Sequence, residues 1–197
     1  MNPFFAENPE CHAPNQQVSN DGATAKKAER DAYVDTLRCK EPVVSGAQRF
    51  RIRIDAASGE DFCNHIGFAA GEGYKGSALN STDSCCIEVD SGRISVDGRS
   101  TGASITRPPA VGDVVVVEID LDRGEFSGGI EGEAMTSVQW APTKVPVFLA
   151  VSFRRLGWKV TVLGQPKAEI SKEEVPFPHP KRHVDCKLAL DIRITAR

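Results

Sequence analysis

No stretch of this 197-residue chain is apolar enough to cross a bilayer as a helix. The longest unbroken aliphatic run is Val114–Val117, against the ~20 residues that a membrane helix needs. Met1–Glu10 has neither a basic start nor an apolar stretch, so no secretory signal is expected. Charge of one sign is missing too. The 24 Lys and Arg stand against 27 Asp and Glu, a formal net charge of -3, which argues against a basic nucleic-acid footprint over the chain as a whole. Aromatic residues are only 7% of the sequence, so platforms for stacking a sugar or a base are few. Tyr74 and Trp140 are the obvious candidates. The six cysteines, at 11, 39, 63, 85, 86 and 186, form no CxxC pair. Without a secretory signal they are expected to be free thiols, in the cytoplasm or the nucleus. Neighbouring Cα atoms lie only ~3.8 Å apart, which disfavours a Cys85–Cys86 bridge. Asn80-Ser81-Thr82 fits a glycosylation pattern but carries little weight without secretion.

What is present suits a soluble globular protein: 40% apolar and 26% charged residues. Met1–Gly22, rich in Asn, Pro, Gln and Ser, reads as a mobile tail. Residues 23–39 hold Ala25, Ala28, Ala32 and Leu37 among Lys, Glu and Arg, and predict a short helix capped by Asn20 or Asp21. From Gln48 to Leu163 the apolar period becomes 2, the mark of half-buried strands. Phe50, Ile52 and Ile54 alternate with Arg49, Arg51 and Arg53. Val115, Val117, Ile119 and Leu121 share one face, as do Val147, Leu149, Val151 and Phe153. Shorter runs surround Ile66, Ile87, Ile94 and Val160. Asp90-Ser91-Gly92, Asp97-Gly98 and Asp122-Arg123-Gly124 supply turn chemistry between them. Many short strands with such turns, and no βαβ alternation, predict an all-β sandwich or barrel. Residues 165–183 form a Pro-rich connector, followed by a C-terminal strand pattern of Cys186, Leu188, Leu190, Ile192 and Ile194.

The segment Gly112–Glu133, GDVVVVEIDLDRGEFSGGIEGE, resembles the core signature of SPRY domains. Its neighbours agree in order: RFRIRID at Arg49–Asp55, HIGFA at His65–Ala69, CCIEVDSGRISVDG at Cys85–Gly98, and VPVFLAVSF with WKVTVL within Val145–Leu163. The resemblance covers about residues 43–164. Phe68 and Cys86 stand where Trp is common, and Glu131-Gly132 replaces the usual Asn-Gly. The resemblance implies a two-sheet antiparallel β-sandwich, SPRY- or concanavalin-like, with an N-terminal tail over 1–42 and a C-terminal extension over 165–197. It also implies a module without catalytic activity that binds other proteins through loops at one end.

Several motifs invite sharper readings. Gly71-Glu72-Gly73-Tyr74-Lys75-Gly76 fits GxGxxG, but a phosphate site needs a helix next, and SALNSTDS at 77–84 supplies a loop instead. The better reading is a flexible connector presenting Tyr74, a residue type favoured at interfaces. His179, His183 and Cys186 lack two close ligand pairs and Pro178 and Pro180 oppose a helix, so no zinc is expected. Cys63 and His65, with Asp61 nearby, would share a strand face, but nothing marks a pocket or an oxyanion site. Cys63, Cys85 and Cys86 read as small buried hydrophobes or rim thiols. The stripe Arg49, Arg51, Arg53 reads as a solvated face or as a partner for acidic groups such as Glu173 and Glu174. It lacks the interleaved aromatics of an RNA-binding strand. Arg154-Arg155-Leu156-Gly157-Trp158 reads either as a basic turn with Trp158 in the core or as a recognition loop. In the resemblance it aligns with a loop lining the peptide-binding surface.

The expected function is recognition of a protein or peptide, with Tyr74, Lys75, Leu79, Arg154, Arg155 and Leu156 as contact residues. No catalytic residue, metal, cofactor, nucleic acid or membrane is expected. The alternatives are a lectin-like sandwich binding a carbohydrate, or a subunit of a larger assembly docked through its tails.

Overall fold

The computed structural model describes residues 5, 16–19, 23–27, 35–57, 64–71, 79, 81–153 and 156–163. Among them are thirteen strands: β1 (Gln16–Ser19), β2 (Thr24–Lys27), β3 (Asp35–Arg38), β4 (Ala47–Ala56), β5 (His65–Ala70), β6 (Ser84–Glu88), β7 (Arg93–Val96), β8 (Arg99–Ser104), β9 (Val114–Asp120), β10 (Glu125–Ile130), β11 (Thr136–Gln139), β12 (Val147–Phe153) and β13 (Lys159–Val162). They form two antiparallel sheets, a seven-stranded one in the order β1-β2-β13-β4-β9-β10-β11 and a six-stranded one in the order β3-β12-β5-β6-β7-β8. The expected all-β sandwich is the observed architecture.

The period-2 pattern supplies the inner faces. Phe50, Ile52 and Ile54 of β4 and Val115, Val117 and Ile119 of β9 point inward and are buried. Opposite them lie Ile66 and Phe68 of β5 and Val147, Leu149, Val151 and Phe153 of β12. Phe68 sits at the centre, edge-on to Phe50 at 5.8 Å and to Phe126 at 6.1 Å between ring centroids. Both partners belong to the other sheet, so this trio ties the two layers together by a favoured aromatic geometry. The predicted turns take the conformations their residues allow. Asp97, Gly98, Gly92 and Gly124 all have positive φ.

The N-terminal expectations are corrected. Residues 24–27 and 35–38 are strands, not parts of a helix. β2 pairs with β13, and β3 pairs with β12. Short Ala- and Lys-rich segments are weak helix formers in isolation, whereas an open sheet edge satisfies every main-chain group on one side. The reading of 1–22 as a tail is also revised. Phe5 is fully buried and bridges Cys39, and β1 extends the seven-stranded sheet. The sheets therefore recruit residues well before position 43. The C-terminal strand pattern at 186–194 lies outside the described residues.

Candidate functional site

The register of β5 and β12 fixes where the two expected recognition segments leave the sandwich. Ala70 pairs with Val147, and His65 pairs with Ser152. The chain thus leaves β5 at one end, past Gly71, and leaves β12 at the other, past Phe153. The strand directions do not bring the two exits together. Leu79 lies against β12 near its exit. Its backbone N–H donates to the Ser152 hydroxyl at 2.9 Å, and its carbonyl accepts from the Ser84 hydroxyl and, at 3.6 Å, from Cys86 Sγ. Its side chain is fully buried in a cluster with Ala69, Cys86 and Ala150. These are outer-face positions of the six-stranded sheet, and their small side chains leave room for a leucine. Gly67 lies between them in the register, where an added Cβ would stand 2.1 Å from the Cys85 carbonyl oxygen.

The expected contact residues divide accordingly. Leu79 is fully buried, so its side chain is not a contact residue. Leu156 is 44% exposed, at a turn with Gly157 at positive φ. Trp158, two residues on, is buried in the core. Tyr74, Lys75, Arg154 and Arg155 lie outside the described residues. Val111 is the other large exposed apolar residue at the Leu156 end, whereas Val44 and Val145 mark the opposite end, beside the Val43–Val147 bridge.

The arginine stripe is a paired face. Arg49 Nε donates to Glu118 at 2.6 Å, Arg51 engages Glu131 with two bonds at 2.6 and 2.9 Å, and Arg53 Nε donates to Asp55 at 2.6 Å. The Arg51 guanidinium holds the Glu131 carboxyl below its ordinary range. These acids replace Glu173 and Glu174, which lie outside the described residues. Such exposed pairs contribute little stability, but they neutralise the stripe. Beside them Arg51, Val116, Glu131 and Met135 border a cavity of about 290 Å³.

The His65 neighbourhood is buried. His65 is 2% exposed, and burial pulls its pKa down to about 4 against the opposing pull of Glu88. Its Nδ1 has no hydrogen-bond partner. Cys63 and Asp61 lie outside the described residues. Cys85 and Cys86 are buried, and desolvation drives both thiols up, away from the nucleophilic thiolate. No group of three or more His, Cys, Asp or Glu among the described residues could hold a metal. His179, His183 and Cys186 lie outside them. Trp140 is 2% exposed and so offers no stacking face to a sugar.

One feature was not legible beforehand. An open cavity of about 620 Å³ lies beside the 156–157 turn, bordered by Gln17, Ser19, Lys26, Ala56, Gly157 and Lys159. Reading 23–39 as a helix hid the strand register that sets Lys26 opposite Lys159.

No family model matches the sequence, and no curated protein does. Solved structures do. The SPRY domain of human HERC1 superposes with a TM-score of 0.68 at 17% identity, over 80% of this chain and 96% of that chain. A human SPRY domain gives 0.60 at 20% identity, over 75% and 94%. The TRIM65 PSpry domain gives 0.59 at 14% identity, over 84% and 93%. The fold is the sandwich that SPRY domains share.

Proposed function

We propose that this chain is a non-catalytic recognition module that holds a protein or peptide partner with segments mounted on a rigid SPRY-type sandwich. The observation that carries the reading is the mounting of Leu156. It is 44% exposed, yet it stands between Phe153, at 1%, and Trp158, at 4%. An apolar side chain is thus presented to solvent from two fixed core residues, with Arg154 and Arg155 next to it in sequence. Aromatic and Arg anchors on a preorganised frame are what interface hot spots are made of. On this reading Tyr74 and Lys75 add contacts. The chain works in the cytoplasm or nucleus, which agrees with Cys39, Cys85 and Cys86 being free thiols.

The test is affinity capture with the wild type, the Arg154→Ala/Arg155→Ala double variant and Leu156→Ala, with the melting temperature of each measured alongside. A partner held by the wild type and lost by both variants at unchanged melting temperature is the expected result. Capture indifferent to all three residues, or a glycan array showing saturable sugar binding, overturns the reading.

A further inference from the structure

Five basic side chains lie on the outer face of the seven-stranded sheet across β4, β13 and β2, and they are not treated alike. Arg49, Arg51 and Arg53 each engage a carboxylate at 2.6 Å. Lys26 and Lys159 stand directly opposite each other in the β2–β13 register, and neither has an ion pair among the described residues. Like charges directly opposed on one face of an antiparallel pair destabilise the sheet. Here the juxtaposition occurs at the wall of the open cavity of about 620 Å³, within the range of sites that hold a ligand. Gln17, opposite Lys26 on β1, adds an amide, and Ser19 adds a hydroxyl. Val18, Ala56 and Gly157 form the remaining walls and carry no long side chain.

We propose that this cavity binds an acidic peptide segment, an extended stretch carrying two or more Asp or Glu carboxylates that bridge Lys26 and Lys159. Gln17 and Ser19 would then bond the main chain of the same stretch. The proposal rests on the recognition-module reading and names the chemistry of the partner. A peptide fits better than a nucleic acid because the chain carries a net charge of -3 and the three neighbouring arginines, the side chains best shaped for phosphate, are already occupied.

The experiment measures anisotropy of a fluorescein-labelled decapeptide of alternating Glu and Gly with the full chain, at low salt and at ~0.15 M. Binding that weakens with salt, and that Lys26→Glu or Lys159→Glu each reduces by roughly tenfold or more, is expected. Each of these variants sets a carboxylate opposite the remaining lysine, so its melting temperature should equal or exceed that of the wild type, and loss of binding cannot be ascribed to misfolding. The Lys26→Arg/Lys159→Arg variant should retain binding. No wild-type binding, wild-type affinity in both Glu variants, or a single-stranded oligonucleotide that binds more tightly through the same lysines overturns the proposal. A captured partner that depends on Arg154 and Arg155 but survives both Glu variants sinks this inference alone. Lysine-dependent peptide binding without any such partner sinks the arginine site alone.

Discussion

Leu79 donates its backbone N–H to the Ser152 hydroxyl at 2.9 Å, which fastens Leu79 to the outer face of β12. The same hydroxyl is 2.7 Å from the Thr36 hydroxyl of the edge strand β3. One buried serine thus holds three segments. Ser152→Ala should leave the buried Leu79 N–H without its acceptor, at a cost of ~1–3 kcal/mol. Amide exchange should accelerate at Leu79 more than at core positions such as Val117. A urea midpoint and a Leu79 exchange rate both equal to those of the wild type would show that the bond fastens nothing.

Phe68 and Leu149 are cross-strand partners on the inner face, and both are fully buried. Leu149→Ala should cost ~2–5 kcal/mol and Phe68→Ala ~3–5 kcal/mol, through lost burial plus the cavity left behind. Because the two side chains touch one space, the double variant should cost less than the sum of the singles. Urea titrations of the four proteins test this, and strict additivity would contradict a shared packing site.

The strands with alternating apolar residues were readable from sequence because burial on one face imposes that alternation. β4, β9 and β12 are examples. β8, with the sequence RSTGAS, was not readable. It is an edge strand exposed at Arg99, Ser100, Thr101, Gly102 and Ser104, so nothing forced an apolar pattern on it. β11, with TSVQ, escaped for the same reason. The sequence of β2 and β3 suggests a helix because their partners β13 and β12 lie more than 100 residues away and leave no local trace. For the site, exposure at Leu156 follows from its place in a turn between two apolar strands. Burial of Leu79 does not, since the small residues that receive it come from three other strands.

Cys39, Cys85 and Cys86 are buried, and desolvation raises the pKa of all three thiols. They should therefore be inert in the native state. In a Cys11→Ser/Cys63→Ser/Cys186→Ser variant, a chromogenic disulfide reagent should titrate no thiol natively and all three after unfolding in urea. A fast native phase would place at least one of them at the surface.

His65 gives the fold a pH dependence with a definite sign. Its folded pKa, about 4, lies below the ordinary imidazole value of 6.5, with burial as the main cause. The unfolded chain therefore binds the proton more tightly than the folded one, and stability rises with pH wherever that difference is populated. The contribution is complete above the unfolded value and is lost as the pH falls from about 6.5 towards about 4. At ~1.4 kcal/mol per pH unit the whole step is worth ~3 kcal/mol. Asp83, Asp113 and Glu131 are also depressed, by Lys144, Arg107 and Arg51 respectively. Their contributions are present above the usual carboxylate range and fade as the pH falls through it, mostly below the His65 window. His65→Gln separates the two effects, because glutamine keeps a polar side chain and does not titrate. Urea unfolding of both proteins at pH 7 and pH 5 should show the wild type losing more stability than the variant between these values. Equal losses would mean that His65 is protonated as readily in the folded protein as in the unfolded chain, and that the imidazole is open to water.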